Sequence, residues 1–132
     1  MLAVRLEQEV PLATVVNTVV GVFFLAMGVY ALMAPAALTS PFGIRLEQPE
    51  ARYEIRAVYG GFGLAMAAML AVAATHDGSL RTGIMITIGV ALGGMAFGRI
   101  VSAVFDDRVA FYPNWFYCIV ETVAAAALVS VS

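Results

Sequence analysis

Two side chains of opposite charge, Arg99 and Glu121, lie inside long apolar stretches of this chain. An arginine at the centre of a membrane helix costs about 2.5–3.5 kcal/mol on insertion scales, so its charge needs a partner or a use. The pair could hold helices together, bind the polar head of an amphiphile, or act as an acid or base tuned by the arginine. A buried carboxylate beside an arginine stays ionised, which suits an anchor better than a base.

Polar side chains recur at helical spacing around both residues. Ser102 and Asp106 follow Arg99 at i+3 and i+7, and Asn114 and Tyr117 precede Glu121 with the same periodicity. A third polar stripe begins at Arg56. The predicted charge cluster, either ligand-binding or structural, consists of Glu54, Arg56, Tyr59, Arg99, Ser102, Asp106, Tyr117 and Glu121. The sequence assigns no catalytic residue and leaves open whether the protein is an enzyme.

The composition is that of a membrane protein. Of the 132 residues, 62% are apolar and only 12% are charged, against roughly a quarter charged in soluble domains. The formal net charge of −2 does not indicate a nucleic-acid partner. The only cysteine, Cys118, and the only histidine, His76, do not make a metal site, and we expect no metal and no cofactor.

Four apolar segments predict four transmembrane helices, at about residues 12–34, 52–75, 80–105 and 114–131. About 20 apolar residues span a bilayer core. Pro35 ends the first segment, and the polar connection that follows it also allows a short interfacial helix. The aromatic run from Phe111 to Tyr117 is typical of a membrane–water boundary. The predicted fold is all-α, an integral membrane, antiparallel four-helix bundle forming a single domain over residues 1–132.

Alternating helix directions bring the charges to one end of this bundle. We call it end B, the end where the connections near residues 36–51 and 106–113 lie. At a rise of 1.5 Å per residue, Arg99 and Glu121 each lie roughly 10 Å from end B, and Arg56 lies roughly 6 Å from it. We therefore predict that Arg99 contacts Glu121, with Arg56 on the same side.

Glycines at four-residue spacing follow one another along the third segment. Gly89 pairs with Gly93, and Gly94 pairs with Gly98 and continues to Ser102. Such small residues let neighbouring helices approach closely in a membrane. We expect this packing to be internal, although a homo- or hetero-oligomer through these glycine-rich faces is the alternative.

The order of three motifs resembles the bacterial family called domain of unknown function 4345. The motifs are Glu54-Ile-Arg56-Ala-Val-Tyr59-Gly60-Gly61, then Gly98-Arg99-x-x-Ser102-x-x-x-Asp106, then Glu121. The family's members are small four-helix membrane proteins, so the resemblance implies the same fold. The chain departs from the family pattern at Asp106-Asp107-Arg108, where Asp-Gly-x-Pro is expected. More loosely, the layout is similar to DoxX-like proteins, some of which accompany quinone-linked oxidoreductases.

These observations favour a small protein of the bacterial inner membrane that binds a lipid, quinone or other lipophilic ligand at the charged cluster. Its partners would be membrane lipids. Two alternatives stay open: an accessory or scaffold subunit whose charges are purely structural, and an enzyme acting on a lipophilic substrate.

Overall fold

The computed structural model describes residues 10–132; residues 1–9, which the single-domain prediction included, lie outside the described part. The described residues form five helices and no strand. The helices are α1 (Leu12–Met33), α2 (Pro35–Thr39), α3 (Pro49–Thr75), α4 (Ser79–Phe105) and α5 (Phe116–Ser130). The all-α prediction is confirmed, and the prediction of four helices is wrong by one.

The additional helix, α2, lies in the connection after α1. Ala34 leaves the helical conformation, with φ −141° and ψ 64°, because Pro35 cannot continue the hydrogen-bond ladder of α1. Pro35 then occupies the first position of α2, where its missing N–H is not needed. A 3₁₀ turn, Ser40–Phe42, follows, and Gly43 ends it with φ 72°.

Three of the helices, α1, α3 and α4, are long and apolar enough to cross a membrane. The last helix, α5, has 15 residues, a length of about 22 Å. It begins after a wider, π-helical turn, Phe111–Trp115, in which Tyr112 is extended rather than helical. The expected fourth segment, at about residues 114–131, corresponds to the end of this turn together with α5.

Most of the apolar surface of the long helices faces outward. Only between 22% and 33% of the residues in their most apolar windows are buried inside the protein. Phe97, Val104 and Phe105 on α4, for example, are 66%, 74% and 82% exposed. This outward apolar surface is what a lipid environment requires and water disfavours.

The helices pack mainly as two pairs, α1 with α3 and α4 with α5. In the first pair, a Cβ at Gly28 would lie 2.9 Å from the backbone nitrogen of Leu64, and one at Gly63 would lie 3.1 Å from the Cα of Gly28. Only glycine permits this separation of the two backbones. The core between the pairs is formed by Ala13, Val20, Phe24, Leu70, Ala73, Ile84, Met85, Ile88, Leu92 and Leu128.

The glycines of α4 divide into a packed group and an open group. A Cβ at Gly89 would lie 2.8 Å from the side chain of Val129 on α5, so the expected internal packing is confirmed there. At Gly94 and Gly98, a Cβ would meet no atom of the described chain within 4 Å, apart from the helix's own neighbouring backbone. The expectation of internal packing is therefore wrong for Gly94 and Gly98, because α5 contacts a different side of α4.

Candidate functional site

Arg99 and Glu121 form a bidentate ion pair between α4 and α5. The Nε of Arg99 donates to Oε2 of Glu121 at 2.9 Å, and its Nη2 donates to Oε1 at 2.9 Å. Parallel hydrogen bonds of this kind are the strongest arginine–carboxylate geometry. The expected contact is therefore present, and it follows from the antiparallel course of two helices that meet at end B.

Other groups of the protein surround the guanidinium. Its Nη1 donates to Oδ1 of Asn114 at 3.4 Å, and its Cζ lies 5.8 Å and 5.7 Å from the ring centres of Phe42 and Tyr117. The two rings are 5.6 Å apart, so both lie on the same side of the guanidinium. The side chain of Glu121 is only 7% exposed, and that of Arg99 is 21% exposed. The pair is thus largely satisfied from within the chain.

Arg56 does not join this pair. Its Nε donates to the carbonyl oxygen of Leu32 at 2.9 Å, near the last turn of α1. That carbonyl is among those a helix end leaves without an internal partner. A cation at a helix C-terminus also interacts favourably with the helix dipole. Arg56 therefore caps α1.

The other predicted cluster residues are dispersed around the pair. Among residues 10–132, the ion pairs are Arg99–Glu121 and Arg81–Asp77, and Glu54 forms none there. Glu54 is exposed on α3, and Tyr59 is half-buried in the π-helical segment Arg56–Gly61. Four of the predicted charges thus form one ion pair, one capping arginine and one exposed glutamate.

A groove of about 720 Å³ opens at end B, beside the ion pair. Such a volume falls within the usual range of roughly 300–1,000 Å³ for ligand pockets. Of the predicted residues, Ser102 and Asp106 line it, whereas Arg99, Tyr117 and Glu121 do not. The groove lining consists of Pro41, Phe42, Ser102, Ala103, Asp106, Asp107, Arg108, Val109, Ala110, Tyr112, Pro113, Asn114 and Trp115.

Two residues connect the groove to the ion pair, and neither was in the predicted cluster. Phe42 and Asn114 both line the groove and both contact Arg99. Asn114 lies on the polar stripe that leads to Glu121, so its spacing carried a signal. Phe42 comes from the distant connection after α1, and no periodicity links it to Arg99.

The carboxylate of Glu121 is directed at Arg99 and not at the groove. Both oxygens of Glu121 accept hydrogen bonds from Arg99, and Glu121 does not line the groove. Within residues 10–132 there is no group of three or more His, Cys, Asp or Glu side chains that could hold a metal ion. A smaller cavity of about 480 Å³ lies along the connection that contains Arg45 and Glu47.

Comparison with known proteins identifies a family. No curated protein and no solved structure matches the chain. A family model described as a domain of unknown function, DUF4345, matches residues 12–132. This match covers all five helices and the whole groove lining, and it agrees with the motif order noted in the sequence. The chain therefore belongs to the DUF4345 family.

Proposed function

We propose that this chain is an integral protein of the bacterial inner membrane that binds a membrane lipid at end B. The lipid head occupies the groove, and one acyl chain lies along an open face of α4 formed by Gly94, Gly98 and Ser102. The observation that carries this proposal is the continuity of the two features. Ser102 lines the groove, and the two exposed glycines follow it at four-residue spacing on the same side of the helix.

The groove suits the head of an amphiphile. Its walls combine Ser102, Asp106 and Asn114 with aromatic side chains such as Tyr112 and Trp115. A few polar groups among apolar ones are typical of ligand pockets. Tyr and Trp are enriched where hydrocarbon meets the headgroup region.

The open face suits an acyl chain. From Gly94 to Ser102 it is about 12 Å long, and it lacks side chains at two of its three positions. The side chains of Phe97 and Val101, one residue before Gly98 and Ser102, are large, apolar and exposed, so the missing side chains leave a shallow apolar depression beside them. A chain lying there would gain dispersion contacts along its length.

In this proposal Arg99 and Glu121 are positioning residues. Their ion pair fixes α4 against α5, and Arg99 also contacts Asn114 and Phe42, which face the groove. This arrangement differs from direct binding of the headgroup by Arg99, because Arg99 itself does not line the groove.

Native mass spectrometry of protein released from mild detergent tests the proposal. Wild type is compared with Gly98→Leu, which fills the open face, and with Gly83→Leu. Gly83 is a matched control, because it is also exposed on α4 and a Cβ there also meets nothing within 4 Å of the described chain. We expect a lipid adduct on wild type and Gly83→Leu, and at least a tenfold weaker adduct on Gly98→Leu. No adduct on wild type, or equal adducts on all three proteins, would overturn the proposal.

The accessory-subunit alternative is favoured by the same two open glycines, because a partner helix could pack there. The mass spectra separate the two. A dimer or a hetero-complex that Gly98→Leu disrupts, with no lipid in the interface, would support the accessory subunit and contradict lipid binding on this face.

A further inference from the structure

We infer that the lipid carries a zwitterionic head with a primary ammonium group and a phosphate, as in an ethanolamine phospholipid. This inference rests on the function proposed above and names the class of ligand. It is drawn from the charges that line the groove and from how they differ from the buried charges behind it.

The groove wall holds three consecutive charged residues, Asp106, Asp107 and Arg108. All three are exposed, and none of them forms an ion pair within residues 10–132. The buried pair beneath the groove, Arg99 with Glu121, is mutually satisfied. The charges able to receive a ligand are therefore two carboxylates and one guanidinium.

This set of charges selects among headgroups. A purely anionic head would face two carboxylates and one arginine, a net charge of −1 in the wall. A head without charge would form no ion pair with any of the three side chains. A zwitterion places its ammonium near Asp106 and Asp107 and its phosphate near Arg108, so that both signs are matched.

Asn114 adds a donor for the same head. Its Oδ1 accepts from Nη1 of Arg99, which leaves the two N–H groups of the amide for another acceptor. Since Asn114 lines the groove, a phosphate or ester oxygen there can accept from it. The buried arginine thus acts on the ligand indirectly, by orienting this amide.

The two carboxylates further favour a primary amine over a quaternary one. A primary ammonium carries three N–H donors, and charge-assisted hydrogen bonds to carboxylates are about twice as strong as neutral ones. A choline head has the same charge but no N–H to donate. The expected order of affinity is ethanolamine, then choline, then glycerol phospholipids.

Lipid titrations monitored by native mass spectrometry test this order. Dioleoyl phosphatidylethanolamine, phosphatidylcholine and phosphatidylglycerol are added in turn to delipidated wild-type protein, so that only the head differs. We expect ethanolamine lipid to bind about tenfold more tightly than glycerol lipid. A difference in binding free energy of this size is near the smallest contribution found for hydrogen bonds to charged groups.

Substitutions in the groove wall show which residues cause the preference for the ethanolamine head. The double substitution Asp106→Asn with Asp107→Asn should abolish the preference for the ethanolamine lipid. Arg108→Gln should weaken the binding of all three phospholipids. Glu50→Gln is the matched control, because Glu50 is an exposed acid near end B that does not line the groove. It should leave the order unchanged. Thermal midpoints of all variants verify folding, since every substituted side chain is exposed.

The outcomes distinguish the inference about the zwitterionic head from the more general proposal of lipid binding. Equal binding of the three lipids, or an ethanolamine preference that survives in the Asp106/Asp107 variant, would overturn the zwitterion inference and leave lipid binding standing. Failure of all three lipids to bind wild type would overturn both. A preference that is lost in the aspartate variant and kept in Glu50→Gln would support the inference.

Discussion

Two pairs of glycines in this protein lie in similar apolar sequences, but one pair is packed against another helix and the other pair is open. Gly28 and Gly63 lie where α1 crosses α3, and each is in contact with the backbone of the other helix. Gly94 and Gly98 lie on α4 with open space where their side chains would be. A small residue in a membrane helix therefore has two uses: it lets a helix approach, or it leaves an apolar depression on the surface.

The charged residues show the same division. Arg99 and Glu121 satisfy each other, and Arg56 caps α1, so these charges have partners inside the chain. Asp106 and Arg108 line the groove and form no ion pair within residues 10–132. Charged side chains with partners inside the chain stabilise the bundle, whereas charged side chains without such partners are available to a ligand. Substitutions on the two sides should therefore affect different measurements.

The largest loss of stability is expected from Glu121→Gln. Removing one partner of a buried ion pair costs about 3–5 kcal/mol, because the remaining charge is stranded. Glu47→Gln is the control, since Glu47 is exposed in a connection, where an ion pair is worth about 0–1 kcal/mol. Thermal unfolding in detergent compares the two. Equal midpoints would mean that the Arg99–Glu121 pair does not stabilise the bundle.

A loss of about 2–3 kcal/mol is expected from Gly28→Leu. Its Cβ alone would come within 2.9 Å of a backbone nitrogen of α3, so the helices must separate, and overpacking of this kind costs roughly that amount. Gly98→Leu, the matched change on the open face, should alter stability by less than about 0.5 kcal/mol. Denaturant titrations of both variants measure the difference. Similar destabilisation by both would show that the α4 glycines are also packed.

A smaller loss, about 1 kcal/mol, is expected from Arg56→Leu, which removes a hydrogen bond to the last turn of α1. Arg45→Leu serves as its control, because Arg45 is exposed in the connection after α2. Hydrogen exchange of the amides around Leu32 should quicken in Arg56→Leu only. Unchanged exchange in that variant would exclude the capping role.

The sequence predicted the features that depend on one helix or on two neighbouring helices. Hydropathy located the long helices, and the rise per residue placed Arg99 opposite Glu121 at the same depth. Helix α2 was harder to predict, because a proline that ends one helix can also begin the next. The π-helical turn at Phe111–Trp115, which precedes α5, was not predicted, because the sequence gives no periodic signal for it.

The composition of the site depends on contacts between distant segments, and these were not predicted. Phe42 reaches Arg99 from a connection more than fifty residues earlier in the chain. Arg56 was placed at the correct end, but the carbonyl of Leu32, which no side-chain pattern reveals, takes its hydrogen bond. For the glycines of α4, the four-residue spacing predicts a helix face without large side chains, but it does not predict whether another helix packs on that face.

The most direct measurement is a crystal structure of the protein grown in a lipid mesophase that contains phosphatidylethanolamine. Lipid binding predicts acyl-chain density in van der Waals contact with Gly94 and Gly98, continuing to a head within the groove beside Asn114. A helix from a second copy packed on those glycines, or a groove and glycine face without lipid density, would contradict it.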